Sequence, residues 1–278
     1  MYLLVIPPTT RIVTVWDTSR LVEPSPRHPG KRWLYAGVKR NLLRRPDVYV
    51  AISETIRGNL HRLLGIPLDR ILVARPGVDE HHFTPRKGPR PSELPDDGKT
   101  TILHVGLAYK RKGIDLLVEA LGRLGAHRFR LIRVGPERDP AYAQAYRTRA
   151  AELGLDLVEC GLVPDEALPA YYGHADLFVF PSLDEGAGIP PLEAMACGTN
   201  VVVSDIPAHR EMCGDLAFYS PTEPVRLASA IAGALENRRP PDALRQHALR
   251  FTWARTADTY LKVYSELGVP VPALVGET

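Results

Sequence analysis

Three cysteines in 278 residues, at Cys160, Cys197 and Cys213, leave no close pair. That excludes a disulfide framework and a cysteine-based zinc site, and each thiol reads as a small buried hydrophobe. The chain has no clustered Asp-x-Asp and no His/Cys arrangement at ligand spacing, so no metal site is expected. No run approaches the roughly 18 apolar residues that a membrane span needs. The opening Met-Tyr-Leu-Leu-Val-Ile-Pro-Pro carries no positive leader, which predicts a cytoplasmic protein. A net charge of +3 is too small to argue for nucleic acid as a partner, and is compatible with anionic small ligands or a membrane surface. Against these absences stands a hydrophobic content of 45%, enough for a substantial core and for one large or two small domains.

Positive charge is concentrated in residues 27–45. There Lys31, Arg32, Lys39, Arg40 and Arg44 interleave with Trp33, Leu34, Tyr35, Val38, Leu42 and Leu43 on an expected helix. Such a face either lies on anionic lipid or is the solvated side of a helix packed on a sheet. Strands are expected at 12–15, 48–52 and 70–74, with a helix over 54–64 started by Ser53 and stopped by Gly65-Ile66-Pro67. Residues 87–99 shift to proline, glycine and acidic residues without apolar period and read as a linker. Beyond it, strands at 101–105, 130–134, 157–160, 177–180 and 201–203 alternate with helices, the pattern of a doubly wound parallel sheet. The expected division is a partial amino-terminal α/β lobe at 1–86, the linker, a Rossmann-like domain at 100–245, and a carboxyl-terminal helix and tail at 246–278.

In such sheets ligands bind beyond the carboxyl ends of the strands. Three glycine loops fall there: 106–113, 135–137 and 185–193. The last, Glu-Gly-Ala-Gly-Ile-Pro-Pro-Leu-Glu, turns from an apolar strand into a helix, with Pro190 or Pro191 suited to its first turn. A helix end of this kind attracts phosphate, and Gly186 and Gly188 let a ligand approach the backbone of a loop that also holds Ala187 and Ile189. Glu193 is placed to accept hydrogen bonds from a diol such as ribose, and Glu185 from a sugar. The competing reading is an ordinary turn whose glutamates complement the helix dipole. The loop from Gly106 to Gly113 holds Lys110-Arg111-Lys112; its natural ligand is a diphosphate, with Lys112 as point charge and Arg111 as planar fork.

Two glutamates separated by seven residues, followed by Ala-Met-Ala-Cys-Gly-Thr and the strand Val-Val-Val-Ser-Asp, closely resemble the signature of retaining GT-B glycosyltransferases of family four. Arg-Lys-Gly at 111–113 is similar to that family's phosphate-binding element. Val134-Gly135-Pro136 resembles its glycine turn near the nucleotide, and Val163-Pro164-Asp165 the segment bordering the base, so Gly135 and Val163 join Gly106 as expected lining. The resemblance implies that Glu185 contacts the transferred sugar, Glu193 the ribose, and Lys112 the leaving diphosphate, with no metal required. It also implies a hexose-type donor, mannose among them, and a soluble or lipid-linked saccharide acceptor.

The sequence departs from the family at Leu107, where relatives carry an arginine or small polar residue; at Trp16, where a histidine is frequent; and at Pro76, where asparagine is. The segment before the linker has room for only about half of a full lobe. Two readings of different class follow: a retaining glycosyltransferase, or a donor-binding subunit or inactive fragment that needs a second chain. A nucleotide-sugar epimerase is disfavoured because nothing pairs acid and base groups at a sugar carbon. A sheet edge left open by a short lobe predicts self-association.

Overall fold

The computed structural model describes residues 2–6, 10–18, 46–85 and 88–268, so the basic stretch at 27–45 lies outside the described residues. The chain divides into two compact units, residues 1–77 with 253–278, and residues 78–252. The first unit is built on a four-stranded sheet in the order β1 (Tyr2–Ile6), β2 (Thr10–Val15), β3 (Val48–Ala51), β4 (Ile71–Val73). β1 runs antiparallel to β2, and the other pairs are parallel. Between β3 and β4 lies α1 (Glu54–Leu64), capped as its sequence predicts. The Ser53 hydroxyl accepts from the Ile56 amide at 3.1 Å, and Gly65 closes the helix at φ +68°.

The second unit carries a six-stranded sheet. In chain order its elements are β5 (Thr100–Val105), α2 (Ile114–Arg123), β6 (Phe129–Val134), α3 (Pro140–Glu152), β7 (Asp156–Gly161), α4 (Leu168–His174) and β8 (Leu177–Phe180). Then follow α5 (Ile189–Ala196), β9 (Val201–Ser204), α6 (Pro207–Cys213), β10 (Phe218–Ser220), α7 (Pro224–Glu236) and α8 (Pro241–Ala248). The strand order is β10-β9-β8-β5-β6-β7, and every neighbouring pair is parallel. This is the doubly wound order of a Rossmann-like sheet, whose winding reverses between β5 and β8. Side-chain parity makes the two layers. Ile102, Leu131, Val179 and Val202 pack with Leu117 and Leu121 of α2 and Ile231 of α7. Phe178 and Phe180 face the other way, their rings stacked at 5.9 Å, with Tyr172 of α4 edge-on to Phe178 at 5.4 Å.

The boundary between the units falls at Gly77/Val78 rather than within 87–99. Among the described residues of that stretch, Leu94 is wholly buried, and Asp97 pairs at 2.7 Å with Arg130, itself bonded to Asp156. Lys99 reaches the same Asp156 at 2.7 Å. A composition that looks like a free linker is thus anchored to β6 and β7 by four charges. The last helix, α9 (Trp253–Glu266), belongs to the first unit, where Val263 joins Ile12, Val50 and Ala74 in the core. Tyr260 meets Thr14 hydroxyl to hydroxyl at 2.8 Å.

Candidate functional site

Three loops at the carboxyl ends of β5, β6 and β8 interlock through glycine. Gly106, after β5, sits at φ +150°, and a Cβ on Gly135, after β6, would stand 2.3 Å from the Gly106 carbonyl oxygen. A Cβ on Gly113 would stand 2.3 Å from the Pro181 carbonyl oxygen, and the Leu183 amide donates to the Arg111 carbonyl at 2.7 Å. Only glycine permits these approaches at positive φ. The loops expected to converge therefore do so, across the point where the winding reverses.

The reversal brings together the charges that the sequence singled out. Lys112 Nζ lies 2.5 Å from Glu185 Oε1, and the two side chains are only 12% and 11% exposed. The Ser182 hydroxyl donates to the same Oε1 at 2.5 Å, and the ammonium stands 4.7 Å from the centre of the Phe180 ring. Arg111 turns elsewhere. Its guanidinium donates to the Tyr109 hydroxyl at 2.9 and 2.6 Å and faces Asp184 at 3.4 Å. Adjacent cations thus have different partners, and the buried pair belongs to Lys112.

Two histidines flank this pair. His104 of β5 is buried, and neither ring nitrogen has a hydrogen-bond partner among the described residues. Burial foremost, then the charges of Lys112 and Arg133, push its pKa down to about 3, so the ring is neutral. Backbone groups at Lys112 and at His104 itself lean the other way without meeting hydrogen-bond geometry. His209 of α6 is also held below its ordinary value, chiefly by burial, and its Nδ1 lies 2.9 Å from the Ser204 carbonyl oxygen. Both rings lie 5.7 Å from Phe180. His209 also sets the loop before α5, since a Cβ on Gly188, at φ +88°, would come within 2.9 Å of its ring.

Gly188 is the N-cap of α5, and among the described residues no side chain caps that helix end. Its first amides keep the character that attracts anions, with Gly186, buried Ala187 and half-buried Ile189 around them. Glu193 lies on the second turn of α5. Burial first of all raises its pKa, and its Oε2 accepts from the Tyr172 hydroxyl at 2.7 Å. Glu185 and Glu193 thus hold separate partners. Val163 is half-buried beyond β7; Pro164 beside it lines a groove of about 660 Å³ with residues 88–93, and neither Lys112, Glu185 nor Glu193 lines that groove. Tyr172, Ser182 and Phe180 escape a reading of the sequence, because their contacts with the site are fixed by sheet parity or by packing rather than by any motif. Among the described residues, no group of three or more His, Cys, Asp or Glu side chains is placed to hold a metal ion, and no helix is long and apolar enough to cross a membrane.

Residues 86–251 match the model of the family described as glycosyl transferases group 1. A serotype-specific mannosyltransferase, WbdA, of Escherichia coli is 30% identical over 246 residues, 80% of this chain. A D-inositol 3-phosphate glycosyltransferase of Acidothermus cellulolyticus is 30% identical over 266 residues, 88% of this chain. The chain spans 29% of the length of the first and 58% of the second. Among solved structures, sucrose-phosphate synthase from Thermosynechococcus elongatus superposes with a TM-score of 0.78 at 22% identity, covering 92% of this chain and 67% of its own. Anabaena HepE in complex with UDP-glucose gives 0.73 at 21%, covering 92% of this chain and 71% of its own. These likenesses identify the fold as α/β of the GT-B type, with a complete Rossmann-like sheet in residues 78–252. Fold, glycine loops and family match agree, and the chain belongs to the group 1 glycosyl transferases.

Proposed function

We propose that this chain transfers a hexose-type sugar from a nucleotide-diphosphate donor to a saccharide or lipid-linked acceptor, with retention of configuration and without a metal. The observation that carries the proposal is the buried Lys112–Glu185 pair, set where the winding reverses and beside the uncapped start of α5. Relatives named for mannosyl and inositol-phosphate glycosyl transfer, and HepE in complex with UDP-glucose, support the donor class.

In this reading the diphosphate replaces Glu185 as the partner of Lys112, and the α5 amides take the remaining phosphate charge. Glu185, released, accepts hydrogen bonds from hydroxyls of the sugar. Glu193 accepts from the ribose diol, while Gly106 and Gly135 leave room for the nucleotide and Val163 borders the base. The acceptor hydroxyl attacks the anomeric carbon from the face that the diphosphate leaves. The carbon–oxygen bond to phosphate breaks as the new glycosidic bond forms, and the hydroxyl proton passes to the departing phosphate oxygen. Arg111 adds charge beyond Lys112 on the same loop.

Turnover tests this directly: release of nucleoside diphosphate from a panel of UDP-, GDP- and ADP-sugars with saccharide acceptors. Glu185→Gln is expected to lower turnover by about a hundredfold, as loss of one transition-state contact does. The same substitution frees Lys112, so affinity for the nucleoside diphosphate rises by about tenfold. Donor binding without release under any pairing would make the chain a donor-binding subunit that needs a second chain. The lipid-linked alternative gives residues 27–45 a membrane-facing role, checked by co-sedimentation with anionic vesicles. Light scattering checks the expected self-association.

A further inference from the structure

The carboxylate assigned above to the ribose is held by a side chain that no motif marks. Tyr172 is wholly buried, with its ring edge-on to Phe83 at 5.9 Å and to Phe178 at 5.4 Å. The Thr199 hydroxyl donates to its backbone carbonyl at 2.7 Å. Ring and backbone are therefore both fixed, and the one polar atom of the side chain points at Glu193 Oε2, 2.7 Å away.

A phenol has one proton to give. Burial first, and the Glu193 charge second, raise the Tyr172 pKa well above the ordinary value, so the hydroxyl remains a donor at all physiological pH. An ionised carboxylate offers about four lone-pair sites on two oxygens, and Tyr172, the one side-chain donor to Glu193 among the described residues, leaves it under-satisfied. A vicinal diol, with two hydroxyls on one edge, supplies what is missing.

We propose that Tyr172 is a positioning residue for donor recognition: it locks the Glu193 carboxylate so that its remaining lone pairs accept the two hydroxyls of a ribose-type diol. The inference rests on the donor-site reading above and assigns Tyr172 a part in it. Its second effect is on charge. Burial raises the Glu193 pKa and the Tyr172 hydrogen bond lowers it; His82 also favours the ionised form, and Asp165 opposes it. Cys197, the residue that caps the carboxyl end of the same helix, is held protonated with its pKa pushed up to about 12, burial first and Glu193 second. Arg245 is engaged with the carbonyls of Phe83, Ala196 and Glu80. Removing the tyrosine hydroxyl takes away the largest influence that favours the carboxylate. Glu193 then takes up its proton at a higher pH, and diol binding weakens as pH falls.

Tyr172→Phe keeps the ring contacts and deletes only the hydroxyl. Two measurements on the full chain test it against wild type. Carbon-13 NMR of the glutamate carboxyls, with no ligand present, is expected to show Glu193 titrating at higher pH in Tyr172→Phe; an unmoved titration overturns the inference whether or not nucleotide binds. Calorimetry with UDP and GDP, and with their 2′,3′-dideoxy analogues, is expected to show about fivefold weaker binding of the natural ligands in the variant at pH 7.5. The loss grows as pH falls, and dideoxy binding is unchanged. Equal losses for both ligand sets, flat with pH, would make Tyr172 a packing residue and overturn the inference. Glu193→Gln separates the two levels. If it weakens UDP and GDP while Tyr172→Phe does not, the inference fails and the donor-site reading stands; if Glu193→Gln changes nothing, the ribose assignment falls and takes the inference with it.

Discussion

At the scale of single residues, His104 couples stability to pH. Its pKa in the folded chain lies at about 3, below the 6.5 of an exposed imidazole, because burial and the cations Lys112 and Arg133 disfavour the charged ring. Between those two values the unfolded chain binds a proton that the folded chain refuses, so stability is complete above pH 6.5 and falls as pH drops towards 3. The slope from one such group is at most about 1.4 kcal/mol per pH unit. His104→Phe, which preserves an aromatic ring against Phe180 and Gly106, is expected to be less sensitive to acid than wild type. Denaturant unfolding at pH 7.5 and pH 5 measures this, and an identical pH dependence in the two proteins would contradict it. The same residue illustrates what was legible in the sequence. Glu185, Glu193 and Lys112 stand out because their spacing around glycine turns is itself the chemistry. His104, Ser182 and Tyr172 do not. Tyr172 meets Glu193 across 21 residues of chain, and Ser182 gains its role only when the loop after β8 folds back on its own hydroxyl.

At the scale of elements, the decisive feature is how closely the loops after β5 and β6 approach each other. Gly135 at φ +126° would place a Cβ 2.3 Å from one backbone oxygen and 2.8 Å from the adjoining carbon, neither of which belongs to a flexible side chain. Gly135→Ala is therefore expected to push the 106–113 loop away, costing about 2 kcal/mol or more from strain at positive φ and the clash together. Affinity for nucleoside diphosphate falls with it, because Lys112 is carried on the displaced loop. Thermal unfolding and calorimetry would read both effects, and a variant with unaltered melting and binding would contradict this packing argument. Long apolar runs such as β8 and capped helices such as α1 are legible, since their signals are local and strong. β1, β10, α6 and α8 are not in the sequence reading. β10 has three residues at a sheet edge, and α8 buries only Leu244 and Ala248 in a helix that opens on the second of two prolines. Too few apolar positions recur there to define a period.

At the scale of the molecule, the doubly wound order places the cationic loop after β5 and the acidic loop after β8 at the same point, which neither loop specifies alone. The alternation of strands and helices is enough to predict that sheet. The chain's division is less legible, because 88–99 has the composition of a linker while its Leu94, Asp97 and Lys99 are anchored to the second unit. In the proposed function, the crevice at the β5/β8 reversal receives the nucleoside diphosphate part of a sugar nucleotide. Calorimetric titration of the full chain with UDP, GDP and ADP, in wild type and in Glu193→Ala, is the measurement that decides this. Binding of at least one of the three is expected, weakened about tenfold or more by Glu193→Ala. Absence of binding by all three, or affinities that Glu193→Ala leaves unchanged, would contradict it.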